Sequence, residues 1–543
     1  MSPPGRPKGE FRSAQHEGIP VSAVIGAAAA GVPLEPRPLN RRMITGSVML
    51  ATIIQAVDTT IANVALPHMQ GNLSASQDQI TWVLTSYIVA AAIAMPLTGW
   101  MCDRFSQKKV LLASVAGFTV ASLLCGVSGS LAEIVTARLL QGLFGAMLVP
   151  LSQAVLLEIN PPEKRGSAMA VFGMGVMVGP ILGPTLGGWL TDSYDWRWVF
   201  FINLPVGALA FYGIWRYIAP ARPARSMRFD MFGFATLSLA IGGLQMMLDR
   251  GQGNDWFAST ETWVELLVFV IAFACFAVHT AFTPAGQSFF DYRLLKNRNF
   301  VTGLTFVFIV GMVMYATRAL MPSMLQSLMD YPVTAVGLLT APTGIGTMLS
   351  MMIVGRLVGR VDLRALLFAG FSITAVSLWQ MTRYTLVLSE SDIVWPGVIQ
   401  GIGLGLVFVP LSTASFATLL PAMFSQGTAI YSLIRNIGSS IGISLVQTLL
   451  VRNTQIAHSS LVAQIDTPGA ISALAGSPFD LTHPAGAALL NAEVTRQASM
   501  IAYVDDFQLM LVMTLCVLPA LWIIKPKKRP GAGSAAAAHL AMD

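Results

Sequence analysis

The sequence predicts an all-α membrane protein: fourteen transmembrane helices in two six-helix bundles, with two additional helices between them. Three observations carry this. Hydrophobic residues make up 54% of the 543 positions and charged ones only 11%, with a mean hydropathy of +0.64, far from the roughly 25% charge of soluble domains. The apolar residues come in repeated runs of membrane-spanning length rather than as amphipathic stripes. The basic residues sit in short clusters between those runs, which is the positive-inside pattern. The net charge of +6 therefore implies a lipid bilayer as partner and no nucleic acid. Cys102, Cys125, Cys275 and Cys516 show no CxxC or metal-ligand spacing, so no disulfide framework, metal or cofactor is expected. No GxxxxGK, HExxH or nucleophile elbow stands in a fitting context, which points away from an enzyme and away from nucleotide hydrolysis by this chain.

Residues 1–42, rich in Pro, Gly and Ala, lack the order of a signal peptide and are expected to form a disordered cytoplasmic tail. Spans follow at roughly 43–66, 79–101, 109–129, 132–157, 166–190, 198–218, 231–249, 262–283, 299–324, 333–355, 364–384, 392–419, 427–451 and 507–524. With the amino terminus inside, the inner segments hold 25 Lys and Arg and the outer ones five. That split supports an even number of spans and both termini in the cytoplasm. The chain then divides into a first bundle (43–218), a linker with two extra helices (219–298) and a second bundle (299–524). The second bundle includes an outer loop, 452–506, with room for short helices, and a cytoplasmic tail (525–543) follows.

Asp58 lies near the middle of the first span. A charge at that depth costs about 2.5–3.5 kcal/mol on insertion scales, so it faces a protein interior or a wet cavity. It either pairs structurally or binds and releases a proton during transport. Arg138 in span four is expected at a similar depth, roughly 10–12 Å below the outer surface, and pairing would lower the cost of both charges. Glu265, Arg318 and Arg435 are secondary candidates that could instead snorkel or pair, and Arg435 is the deepest of them. Methionines such as Met312, Met321, Met348 and Met351 suit either a cavity accepting several shapes or lipid-facing filler.

The glycines of span five, Gly175, Gly179, Gly183 and Gly187, are spaced by four and share a face, with Gly188, Pro180 and Pro184 among them. Such a face allows close backbone approach in lipid, while each proline removes a helix donor. After span two, Gly99 and Asp103 stand beside Arg104, Lys108 and Lys109. The acid is not required by the positive-inside rule and can form charge-assisted hydrogen bonds. A related pattern returns at Gly355, Gly359 and Arg360, eight helices later. Two six-helix halves separated by an inserted pair would give that offset, which is the parallel-repeat plan of major facilitator transporters.

These residues resemble a known family along nearly the whole membrane region. Val57-Asp58-Thr-Thr-Ile-Ala-Asn-Val-Ala-Leu-Pro67 is similar to the first-helix signature of the fourteen-helix drug:proton antiporters (EmrB/QacA type). Gly99–Lys109 resembles the superfamily loop motif, with Ser106 where glycine is usual, and Arg138–Gly145 resembles the fourth-helix motif. Gly175–Gly188 resembles the antiporter motif of helix five, and His68–Tyr87 looks closest to the EmrB branch. The resemblance implies the major facilitator fold and proton-coupled export of amphipathic drugs across the bacterial inner membrane by alternating access. It assigns a cytoplasmic latch to Gly99, Asp103, Arg104, Lys108 and Lys109, and the contact between halves to the helix-five glycines, while proton coupling by Asp58 and Arg138 is the hypothesis their shared depth supports. It further implies an EmrA-like periplasmic adaptor and a TolC-like outer-membrane channel as partners. The alternative is a secondary exporter of one defined metabolite, such as a siderophore, peptide or lipid-like compound.

Overall fold

The computed structural model describes residues 40–220, 229–284, 288, 290–465 and 477–521. The expected tails, 1–42 and 525–543, lie outside these residues apart from 40–42, where Arg41 and Arg42 already open the first helix. Part of the expected linker (221–228) and of the outer loop (466–476) also lies outside them.

Among the described residues, the elements long and apolar enough to cross a membrane are all helices. They are α1 (Arg41–Asn72), α2 (Gln77–Ala94, continued as Leu97–Phe105), α3 (Gln107–Val127), α4 (Leu131–Ile159), α5 (Pro162–Ser193), α6 (Trp198–Tyr217) and α7 (Met231–Arg250). Then come α8 (Thr260–Phe282), α9 (Arg298–Met329), α10 (Val333–Leu357), α11 (Leu363–Met381), α12 (Glu390–Phe416), α13 (Pro421–Ile465) and α14 (Pro484–Ala520). The bent pair of α2 makes fourteen, as expected. Its 57° bend falls at Met95-Pro96, where proline lacks the N–H that would continue the ladder.

The expected outer loop differs most from its reading. Instead of short separate helices, α13 continues to Ile465 and α14 starts at Pro484. The α-helical part of α13, Phe424–Ile465 with 42 residues, and α14 with 37 run about 55–63 Å, roughly twice the hydrocarbon thickness. His458 Nε2 and Asn491 Oδ1, 3.1 Å apart, join their extended ends. Hydropathy ended the spans too early because a helix goes on where its apolar run stops.

A repeat deeper than the loops organises the packing. Gly175, Gly179, Gly183 and Gly187 of α5 lie against Met49, Ala56, Thr60 and Ile61 of α1, and Thr60 Oγ1 donates to the Gly179 carbonyl at 3.0 Å. In the second half, Gly438 and Gly442 of α13 lie against the carbonyls of Phe308 and Met312 of α9. Gly438 follows Gly179, and Gly442 follows Gly183, by 259 residues. The same offset relates Gln141-Gly142 of α4 to Gln400-Gly401 of α12. Gly142 meets the Tyr87 carbonyl of α2, and Gly401 meets the Thr343 carbonyl of α10. A side chain at Gly142, Gly179, Gly401, Gly438 or Gly442 would collide with main chain, so the residue type follows from the approach.

Several contacts between the halves lie at the end carrying the α2–α3 loop. A Cβ on Gly99 would stand 2.8 Å from Gln426 Cβ of α13, and one on Gly355 of α10 would stand 2.6 Å from Ala170 Cβ of α5. Gln107 Nε2 reaches Ser425 Oγ at 3.5 Å, and the Arg165 guanidinium lies 4.9 Å from the Phe424 ring centre. The α2–α3 turn places Ser106 at φ +81°, backbone that glycine adopts freely and serine at a cost. The two inserted helices differ from each other. In α7, Gln245 exchanges hydrogen bonds with Ser440 of α13 (2.9 and 3.1 Å), and Asp249 accepts from Thr85 of α2, so α7 bridges both halves. By contrast, α8 buries only Thr262 and Ala272.

Candidate functional site

Asp58 and Arg138 meet. The Asp58 side chain is 0% exposed and Arg138 is 1% exposed, and Arg138 Nη1 donates to Asp58 Oδ2 at 2.7 Å. Two amides complete the carboxylate: Gln141 Nε2 at 2.7 Å and Asn203 Nδ2 at 2.9 Å, both to Oδ1. Gln141 Oε1 in turn accepts from Arg138 Nη1 at 2.7 Å. Arg138 Nε donates to the Val83 carbonyl at 3.1 Å, and its guanidinium lies 4.3 Å from the Tyr87 ring centre. Asn203 Nδ2 also reaches Ser122 Oγ at 3.0 Å, which donates to the Phe200 carbonyl at 2.9 Å. Three N–H donors face the carboxylate, the set that suits its ionised form. Helices α1, α2, α3, α4 and α6 are thus tied to one acid.

The pair is enclosed rather than open to water. Beside it lies a cavity of about 730 Å³, lined from both halves by α1, α2, α4, α5, α9, α10, α12 and α13, and also by α7. Gln55 and Tyr87 form its wall next to the pair, with Gln55 Nε2 donating to Tyr87 Oη at 3.2 Å. The lining residues lie in the half of the bundle away from the α2–α3 loop, for example Asn63 and Pro67 of α1 and Gln326 of α9. Arg318 and Arg435 face this cavity, as does Asp249. Glu265 does not line it; its backbone carbonyl packs on Gly243 where α8 meets α7.

The other sequence candidates take varied places. Lys108 Nζ donates to the Trp215 carbonyl at 2.8 Å and to that of Ile218, so it closes the end of α6 within its own half. Gly99 touches the second half. Asp103, Arg104 and Lys109 share the end where the halves meet. The four-spaced glycine face of α5 was expected between the halves, yet it packs on α1 of the same half. The contact with α10 uses neighbouring positions of α5: Gly166 on Val358, Gly173 on Met351, Ile181 on Gly344 and, more loosely, Gly188 near Thr334. A central helix has two packed faces, and residue spacing alone does not tell which neighbour each face meets.

Several residues were not singled out by the sequence. Gln141 is a neutral amide inside the fourth-helix motif and Asn203 a neutral amide of span six; the i, i+3 spacing from Arg138 was the available signal for Gln141. Asp249 was placed at a span end. Asp506 of α14 is 1% exposed, with neither carboxylate oxygen hydrogen-bonded among the described residues; the expected span began one residue later.

A helical bundle around a central cavity, built from two repeats, defines a membrane transporter fold. The sequence profile of the Major Facilitator Superfamily matches residues 48–443. The chain is 35% identical to the multidrug export protein EmrB of Escherichia coli K12, over 93% of this chain and 99% of that one. It is 33% identical to the fatty acid resistance protein FarB of Neisseria gonorrhoeae, over 90% and 97% respectively. Among solved structures, the human organic anion transporter MFSD10 superposes with a TM-score of 0.55 at 14% identity, over 88% of this chain and 99% of that one, a likeness of fold. The chain belongs to the Major Facilitator Superfamily, to its EmrB-type branch, and is therefore a transporter rather than an enzyme.

Proposed function

We propose that this protein is a proton-coupled exporter of amphipathic toxic compounds across the bacterial inner membrane. The observation that carries the reading is the fully coordinated Asp58–Arg138 pair beside a cavity shared by both halves. The names of its relatives, multidrug export and fatty acid resistance, support the substrate class. With both termini inside, the orientation that the loop charges support, the cavity opens to the periplasm and the α2–α3 end is the closed cytoplasmic side. Gly99, Asp103, Arg104, Lys108 and Lys109 then belong to the inner latch. The working division is a first bundle (43–218), a linker with α7 and α8 (219–298) and a second bundle (299–524).

A proton arriving through the Gln55–Tyr87 wall neutralises Asp58. The neutral acid gives up its charge-assisted bonds to Arg138, Gln141 and Asn203, which are roughly twice as strong as neutral ones. The hold of α1 on α2, α4 and α6 weakens, and because α1 is seated on the glycine face of α5, the central helix is freed to move. The halves rock, and the proton leaves inside as substrate is taken up. Each inward proton supplies about 2.3 kcal/mol per 100 mV of membrane potential. An EmrA-like adaptor and a TolC-like channel complete the export route in this reading, with the extended ends of α13 and α14 on the periplasmic side.

The test is transport by Asp58→Asn in proteoliposomes. Exchange down a drug gradient persists, and uphill export driven by a pH gradient vanishes. Unimpaired uphill export removes Asp58 from the mechanism. Export of one metabolite alone is the second reading, and resistance to a panel of unrelated drugs with a protonophore control separates the two.

A further inference from the structure

The second half's wall of the cavity is a row of donors with nothing to donate to. Arg435 is 7% exposed, and its Nε has no hydrogen-bond partner among the described residues. Gln400 Nε2, Ser432 Oγ and Ser444 Oγ are likewise buried and unpartnered, and all four residues line the cavity. Among the described residues no carboxylate lies within 4.0 Å of a nitrogen of Arg435 or Arg318. The one acid on the wall, Asp249, is engaged by Thr85. Arg318 Nη2 meets the Met177 sulfur at 3.3 Å. Buried donors without acceptors each cost about 1–3 kcal/mol, and an unpaired buried cation costs more. Four of them on one wall describe a binding site awaiting an acceptor.

We propose that Arg435, with Gln400 and Ser432 lining the same cavity, is the seat for the carboxylate of an amphipathic organic anion, whose apolar body lies against Met321, Val336, Leu339 and Ile393. The proposal rests on the export reading and names the substrate class of its cavity. An inorganic anion would satisfy the donors but leave the apolar wall and a volume of about 730 Å³ unfilled, a size that suits an organic molecule. A guanidinium holds a carboxylate through two parallel bonds. Arg318 is seven residues along α9 from Gly311, which packs on the Arg435 carbonyl. It therefore stands about 10 Å nearer the open end, where it draws the anion along the path.

The test is equilibrium binding to the full chain in nanodiscs, with no ion gradient. The probes are 1-naphthylacetate and its neutral amide, 1-naphthaleneacetamide. In the unmodified protein the acid binds about tenfold more tightly than the amide, a difference of about 1.4 kcal/mol. Arg435→Gln brings that ratio to about one, and Arg435→Lys keeps part of it, since a point charge replaces the fork. Should Arg435→Gln fail to fold, as judged by its thermal profile, Gln400→Leu carries the test through a threefold or larger fall in the ratio. Equal binding of the two probes to the unmodified protein overturns the proposal, and so does a ratio unchanged by these substitutions. No gradient enters the measurement, so its failure leaves proton coupling standing, and failure of the Asp58→Asn test leaves this seat standing.

Discussion

In the first half, Gln141 sits between Asp58 and Arg138 with both amide atoms bonded. In the second half, Gln400, 259 residues on, has the same glycine after it and the same close approach to the second helix of its bundle, but its Nε2 has no partner. The positions matching Asp58 and Arg138 at that offset are Thr317 and Gly397. One scaffold thus carries two electrostatic fillings. The first is saturated and sealed, as a group must be if its protonation is to change the packing of several helices at once. The second is unsatisfied and faces the cavity, as a group must be if it is to receive something from outside the chain. Fold repetition keeps the glycine contacts, and the division of labour lies in a few polar positions.

The largest effects should come where the halves are alike. Gly179→Leu and Gly438→Leu each drive a side chain into a carbonyl of the neighbouring helix. Both should remove most of the folded protein from the membrane, as read by fluorescence-detected size exclusion. Intact yields from either would break the scaffold equivalence. Next comes the difference in filling. Arg138→Met leaves Asp58 buried and unpaired, which should cost about 3–5 kcal/mol in unfolding free energy, and adding Asp58→Leu should recover part of it. Arg435→Met, which breaks no bond and removes an unpaired cation, should leave the unfolding free energy unchanged or raise it. Equal losses from Arg138→Met and Arg435→Met would erase the contrast.

Smaller effects sharpen it. Gln245→Leu removes the reciprocal bonds from α7 to Ser440 and should cost about 1–2 kcal/mol. Ser106→Gly relieves the φ of +81° and should stabilise the α2–α3 end by about 1 kcal/mol, whereas Ser106→Ala should not. Thermal unfolding reads both.

The sequence disclosed the parts governed by strong costs. Charges are expensive in a bilayer, so Asp58 and Arg138 stood out and their pairing followed. Apolar runs and loop charges counted the spans correctly. Neutral amides carry no such signal, so Gln141 and Asn203 emerged only in three dimensions. Asp506 was lost because the apolar window opened at the next residue, and the long ends of α13 and α14 because hydropathy marks lipid contact rather than helix length. The face of α5 was legible from glycine spacing, while its neighbour was a matter of packing.

Coupling through the first half can be measured on the protein itself. In weakly buffered detergent solution, adding a transported substrate to the purified chain should release protons, and Asp58→Asn should release none. Release that survives in Asp58→Asn, and is lost instead in Asp506→Asn, would place the coupling acid in the other half and contradict the account.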